Sequence, residues 1–177
     1  FSMALLCVAS LVFAQAGSLG IFADPAGTDC NLADAVPGLA IYNVVYVNTP
    51  CATAVQFAAP VPACLVAGLW LSDMAVHPIN LGNSQIGISV AFGANFSSPI
   101  HVLGIQIFVQ GLTGPCCLYP VVADPNVPSG LIEGVDCAGG LLYPTPGVGI
   151  VNSNETCNCD VPTQDTTWGK VKALYSE

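Results

Sequence analysis

The sequence predicts an all-β, disulfide-stapled antiparallel β-sandwich of the immunoglobulin-like or jelly-roll-like kind, closed by a short C-terminal helix. Three observations predict it. Short apolar, β-branched segments recur between turn clusters rich in Gly, Pro and Asn, the pattern of strands stacked in two layers. Eight cysteines remain once an N-terminal export segment carrying Cys7 is set aside, and an exported chain oxidises its thiols. Hydrophobic residues make up 53% of the chain and charged residues 7%, the opposite of a disordered composition. At 177 residues the chain suits one domain.

The elements follow in order. Met3–Ala14 is the longest uncharged apolar run and is too short to span a bilayer as a helix. With Ala14-Gln15-Ala16 as an A-x-A cleavage site, residues 1–16 read as a signal peptide truncated at its start, and the mature chain is expected to begin near Gly17. Residues 17–160 form the sandwich. Strands are expected at Leu19–Ala23, Leu39–Val47, Ala54–Ala58, Val66–Leu71, Val76–Leu81, Gln85–Phe92 and Ile100–Gln110. Weaker ones are expected at Tyr119–Val122, Leu131–Asp136 and Leu141–Tyr143. Ile86, Ile88, Val90 and Phe92 fall on one face of a period-two pattern, as do Leu103, Ile105, Ile107 and Val109, with Val102 out of phase. Those two segments are the expected central strands. Leu81-Gly-Asn-Ser suits a tight hairpin, because Gly and Asn tolerate positive φ.

Residues 161–177 read as a linker and a short amphipathic helix. Asp165, Thr166 or Thr167 would cap it, and Trp168, Val171, Leu174 and Tyr175 would share one face. That face either closes the end of the sandwich or docks onto a partner or the cell envelope.

The expected disulfide cysteines are Cys30, Cys51, Cys64, Cys116, Cys117, Cys137, Cys157 and Cys159. Cys116 and Cys117 are adjacent, and Cys157 and Cys159 nearly so; such neighbours rarely meet disulfide geometry with each other, so each should reach a distant partner. Cys30–Cys64 and Cys117–Cys137 are the expected pairs among these. No paired C-x-x-C spacing points to zinc.

Charge carries the strongest exclusion. The chain has no arginine, and its two lysines are Lys170 and Lys172. The mature body holds Asp24, Asp29, Asp34, Asp73, Asp124, Glu133, Asp136, Glu155 and Asp160 with no fixed cation. Nucleic-acid binding, which needs Lys and Arg on phosphates, is excluded, and an anionic membrane surface is disfavoured. Nucleotide cofactors lose their usual clamps as well.

Catalytic chemistry finds little to stand on. His77 and His101 are the only histidines, both in apolar strand contexts, and no G-x-S-x-G elbow accompanies a serine. Asp73, Asp124, Glu133 and Asp136 are the carboxylates from which a glycosidase pair would be drawn, without the aromatic platforms that sugar sites carry. Asp24, Asp29, Asn31 and Asp34 form an oxygen-rich loop after the first strand. It is the candidate metal site, and calcium is the ion its chemistry would take. Asn95-Phe-Ser and Asn154-Glu-Thr match the N-glycosylation sequon.

Several segments carry a resemblance. They are Phe22-Ala-Asp-Pro-Ala-Gly-Thr-Asp-Cys, Gln56-Phe-Ala-Ala-Pro, Trp70-Leu-Ser-Asp, Gly82-Asn-Ser-Gln, Pro99-Ile-His-Val-Leu, Asp124-Pro-Asn, Val135-Asp-Cys and Thr167-Trp-Gly-Lys-Val-Lys-Ala-Leu-Tyr. Together they resemble an uncharacterised family of bacterial exported cysteine-containing proteins, which implies export but supplies no activity. More loosely, Gln56-Phe followed by Pro60 and later long alternating strands is similar to cohesin-like sandwiches, an analogy of fold.

The resulting expectation is an exported, non-catalytic structural or assembly subunit, secreted or at the cell surface, needing no cofactor and associating with a protein partner or itself. The alternative is an adhesion or carbohydrate-binding module. With eight paired cysteines, the oxidised mature chain should present no thiol to Ellman's reagent even when unfolded in guanidinium without reductant; a stoichiometric thiol signal would contradict the framework.

Overall fold

The computed structural model describes residues 16–159; residues 1–15 of the expected signal segment, the linker and the C-terminal helix lie outside the described residues. Among the described residues there are thirteen strands: β1 Ser18–Phe22, β2 Asn31–Leu32, β3 Gly38–Val47, β4 Ala52–Phe57, β5 Leu69–Ala75, β6 Ile79–Asn83, β7 Gly87–Phe96, β8 Ile100–Val109, β9 Cys117–Pro120, β10 Glu133–Val135, β11 Leu141–Leu142, β12 Thr145–Pro146 and β13 Val148–Val151. Among the described residues there is no helix long and apolar enough to cross a membrane.

Alternating side chains explain the layers. β12-β1-β3-β8-β5 form one sheet and β11-β10-β4-β7-β6 the other. Ile88, Val90 and Phe92 of β7 and Leu103, Ile105, Ile107 and Val109 of β8 point into the shared core with Tyr46, Phe57 and Tyr119. Ile86, expected on the same face, is exposed at the hairpin turn. Val102 breaks phase because β8 is bulged there: Val44 pairs with Leu103 and Val45 with His101, so Val102 and Leu103 are both fully buried. A third sheet, β2-β13-β9, closes one end.

Three tyrosines sit deep in this core and each hydroxyl finds a backbone carbonyl. Tyr46 Oη donates to Ala16 O at 2.6 Å, Tyr42 to Ala33 O at 2.9 Å and Tyr119 to Ala59 O at 3.1 Å. A buried phenol without such an acceptor would be penalised. Burial, reinforced by Asp34 nearby, pushes the Tyr42 phenol up to about 12.

Four disulfides close the framework: Cys30–Cys159, Cys51–Cys137, Cys64–Cys117 and Cys116–Cys157. The two pairs expected from sequence, Cys30–Cys64 and Cys117–Cys137, are therefore corrected. Strand pairing is the reason. Asn31 pairs with Ile150 of β13, so Cys30 lies beside the chain that continues from β13 to Cys159. Val135 pairs with Ala54, which brings Cys137 to Cys51. The bridge between Ala58 and Val122 sets the loop holding Cys64 against β9, where Cys117 begins. Cys116 and Cys117 do go separate ways, as do Cys157 and Cys159.

Several strand boundaries shift by up to four residues from expectation, Val76–Leu81 to Ile79–Asn83 and Gln85–Phe92 to Gly87–Phe96 among them, and two departures have a local cause. Val66–Leu71 gives way to β5 at Leu69–Ala75, since Pro62, Cys64 and Ala67 lie in a turn region where Ala67 adopts φ 54°. The hairpin after β6 turns at Ser84–Ile86 rather than at Leu81-Gly-Asn-Ser, with Asn83 paired to Gly87.

Asp34 locks the closed end. It is buried, and its carboxylate accepts from Gly111 N at 2.6 Å and Thr113 N at 3.1 Å. Asn152 braces the same point, accepting from Asp34 N and donating to the carbonyls of Asp34 and Thr113. Asp34→Ala would strand one buried and one partly buried amide and is expected to destabilise by about 2–4 kcal/mol, read as a lower urea midpoint at unchanged m-value.

Candidate functional site

The outer face of the second sheet is built from an unusual pairing of small and large side chains. Register aligns Ile79 with Ala91, Ala91 with Ala54, Ala54 with Val135, and Val135 with Leu141. One apolar row thus crosses all five strands, with two alanines at its centre and branched side chains at both ends. The next row runs Leu81, Ser89, Gln56, Glu133. The small centre and tall flanks leave a trough of about 160 Å³. Ile79, Leu81 and Leu141 are 51%, 68% and 61% exposed at its rims. Apolar side chains held this open to solvent in one contiguous patch mark an interaction surface more often than an accident of composition.

The floor is held rigid from one end. Asp124 is buried and accepts from Gln56 Nε2 at 2.8 Å, Asn126 N at 2.8 Å and Asn126 Nδ2 at 2.9 Å. Gly87 sits directly against it at φ 120°, and a Cβ there would collide with the Asp124 carboxylate. Burial alone would raise Asp124, but the Gln56 and Asn126 donors hold its carboxyl below the ordinary carboxylate value.

The residues singled out from sequence are placed as follows. Asp24 accepts from Ala26 N, Thr28 N, Thr28 Oγ1 and Asp29 N. Burial pushes its carboxyl up, yet these donors together hold it below the ordinary value. Asp29 caps Asn31 through both its amide and its side chain, and Asp34 faces Gly111 and Thr113 on the closed end. The oxygen-rich loop thus aims its carboxylates at separate backbone amides. Among the described residues no group of three or more His, Cys, Asp or Glu side chains is placed to hold a metal ion.

Asp73 accepts from Ser84 N, Ser84 Oγ and Trp70 Nε1, and Asp136 caps its own turn through Ala138 N and Gly140 N. His77 stacks against Phe92 at 4.6 Å, with Nε2 2.8 Å from His101 O. Burial, with His77 nearby, holds the His101 imidazole below its ordinary value despite a hydrogen bond to the Leu103 backbone. Asn154 turns its side-chain oxygen onto Thr156 N and Oγ1, while Asn95 is exposed near the end of β7. Trp168, Val171, Leu174 and Tyr175 lie outside the described residues.

The trough itself was missed at the sequence level. Ala54, Ala91 and Val135 are unremarkable one strand at a time, and only long-range register puts them in a row. The available signal was Ile79 and Leu81, large apolar residues on the alternate phase of a strand whose other phase is Asn80 and Gly82.

The fold is a β-sandwich similar to that of cohesin modules. The fold is similar to the third ScaB cohesin of R. flavefaciens, solved in complex with a group 1 dockerin, with a TM-score of 0.51 and 11% identity over 78% of this chain and 96% of that one. It is also similar to the cohesin module of a family 33 glycoside hydrolase from Clostridium perfringens, with a TM-score of 0.50 and 5% identity over 79% of this chain and 99% of that one. At these identities the likeness is one of fold. No family model and no curated protein matches the chain.

The depressed Asp124 value has a pH consequence. A carboxylate whose folded pKa lies below its unfolded value, 3.8, contributes stability that is complete above that value. The contribution fades as pH falls through the folded pKa. The gap in melting temperature between wild type and Asp124→Asn should therefore be constant at neutral pH and shrink below about pH 4.

Proposed function

We propose that this chain is an exported, non-catalytic module that assembles proteins by docking one partner on the outer face of β4, β6, β7, β10 and β11. The observation that carries the reading is the five-strand apolar row from Ile79 to Leu141. A shallow trough with an alanine floor suits a ridge of side chains from a folded partner, such as one face of a helix. Glu133 is the lone charge in the two rows, so the matching surface would be apolar with a basic residue near β10. The cohesin-like fold supports an assembly role, since the R. flavefaciens cohesin of similar fold was solved with a dockerin bound. The disulfides suit an oxidising compartment.

A carbohydrate-binding role finds less support on this face. Sugar recognition favours aromatic platforms with polar clamps, whereas these rows hold Ser89, Gln56 and Glu133 but no aromatic ring beside their Ala, Val, Ile and Leu.

The test uses the oxidised chain as bait against the exported proteins of its source organism, followed by calorimetry with the purified partner. Ala91→Glu places a charge on the trough floor and should weaken that partner by about 30-fold or more, the effect of losing one hot spot worth about 2 kcal/mol. A partner that binds Ala91→Glu and wild type equally would move the interface elsewhere, and a glycan bound in its place would end the assembly reading.

A further inference from the structure

The opposite side of the sandwich bears a second apolar face, on the outside of the first sheet. Leu39, Phe108 and Leu69 form one cross-strand row, with Ile41, Gln106 and Ser72 in the next. Beyond it, Gly104 lies between Ile41 and Met74: a Cβ there would stand 3.3 Å from Ile41 Cγ2 and 3.5 Å from Met74 Cβ. Gly104 therefore floors a dip walled by those two side chains. Leu71, the extra residue of a bulge in β5, adds to the edge. Leu39 and Leu69 are 58% and 60% exposed. The polar pair on this face, Ser72 Oγ and Gln106 Oε1, is satisfied internally at 2.7 Å. No charged residue occupies these rows.

At its far end the same face is already covered by the chain itself. Val45 and Val47 continue the outward phase of β3, and Phe22, Cys30 and Cys159 pack with them in a small separate cluster. Gly27 lies on Val45 and Val47, so the acidic loop carrying Asp24 and Asp29 roofs this end. Cys159 is fixed there by its disulfide to Cys30 and by Asn31 Oδ1, which accepts from Cys159 N at 3.2 Å. The chain beyond Cys159 therefore starts at the border of the exposed apolar face.

Length and charge select the occupant. Trp168 is nine residues past Cys159, a reach of up to ~30 Å, whereas Leu39 lies six residues along β3 from Val45, ~20 Å away. Residues 16–159 hold eight carboxylates (Asp24, Asp29, Asp34, Asp73, Asp124, Glu133, Asp136, Glu155) and no Lys or Arg, a formal −8. Residues 168–175 hold Lys170 and Lys172 and no acid, a formal +2, within a tail whose Asp160, Asp165 and Glu177 bring residues 160–177 to a formal −1. A second copy docking by this face would bring two bodies of −8 together, while the tail brings the chain's only lysines.

We propose that the C-terminal segment of this chain folds back in cis onto the outer face of β3, β5 and β8, with Trp168, Val171, Leu174 and Tyr175 covering Ile41, Met74 and Phe108. The tail is then a built-in cover for one apolar face, leaving the trough on the other sheet open. The proposal stands on different residues from the docking reading, and either can fail alone.

The test follows Trp168 in the oxidised chain from Ala16 to Glu177, which keeps the Ala16 carbonyl that accepts from Tyr46. Trp70→Phe isolates its fluorescence, and ¹⁹F spectra of the unsubstituted chain labelled with 5-fluorotryptophan report it without that substitution. Docking predicts a blue-shifted emission and acrylamide quenching several-fold below that of a synthetic peptide of residues 160–177, at every protein concentration. Ile41→Asp or Met74→Asp should restore peptide-like quenching, and so should Leu174→Asp, which lies in the tail and leaves the body unaltered. Trp168 quenched as readily as in the peptide would overturn the proposal. So would protection that Ile41→Asp and Met74→Asp leave intact, which would put the tail elsewhere. Protection lost on dilution together with a dimeric mass in light scattering would assign the face to a second copy.

Discussion

The rest of this structure depends on a shortage: across residues 16–159 there is no lysine or arginine to meet a carboxylate. A folded acid must then be solvated, neutralised or hydrogen-bonded, and the described aspartates take the third course. Asp24, Asp29, Asp34, Asp73, Asp124 and Asp136 each accept from at least one backbone amide. Charge-assisted bonds of this kind are stronger than neutral ones and fix direction as well as distance. The acids are therefore the pins of the loops. Asp34 ties the β8–β9 connection to the loop before β3, Asp73 holds the β6–β7 turn, and Asp124 supports the trough floor through Gln56 and crowds Gly87. In the oxygen-rich loop, Asp24, Asp29 and Asp34 each turn carboxylate oxygens onto backbone amides.

Much of the fold was legible because the long strands obey local rules. β7 and β8 announce themselves by alternation, and Val102 announces its own bulge by breaking it. The cysteines could be counted but not paired, because pairing depends on which strands meet. β2, β12 and β13 are two to four residues long and carry almost no periodic signal, yet β2 against β13 is what delivers Cys30 to Cys159. The trough was illegible for the same reason. Its alanines lie on β4 and β7, its rims on β6, β10 and β11, and no one segment contains more than two of its row. Asp124, by contrast, stood in a quoted Asp-Pro-Asn turn whose capping chemistry is local.

The two outer faces deserve comparison as surfaces of one module. Both are apolar, the trough face crossed by a row over five strands and the first-sheet face by rows over β3, β8 and β5, and neither carries more than one charge in those rows. They differ in where they stop. The trough face ends at open rims of Ile79, Leu81 and Leu141. The first-sheet face runs into a cluster sealed by Phe22, Val45 and the Cys30–Cys159 bridge, from which the remaining chain departs.

That difference in boundary gives the disulfides a role beyond stability. A bridge closing 129 residues, as Cys30–Cys159 does, restricts the unfolded chain strongly on the loop-entropy account. In the folded state it sets where residue 160 begins, and so converts an untethered tail into one whose effective concentration over the adjacent face is set by a nine-residue span. An intramolecular contact of that kind needs little intrinsic affinity to be populated, because closing a short loop costs far less than recruiting a second molecule. An aromatic tail that holds the chain's only lysines, anchored beside an uncharged apolar sheet on an acidic body, is thus favoured in cis by position before any contact is counted. With one face occupied this way, the chain would present a single apolar surface to partners rather than two, and a module with two open faces would be prone to chain into polymers.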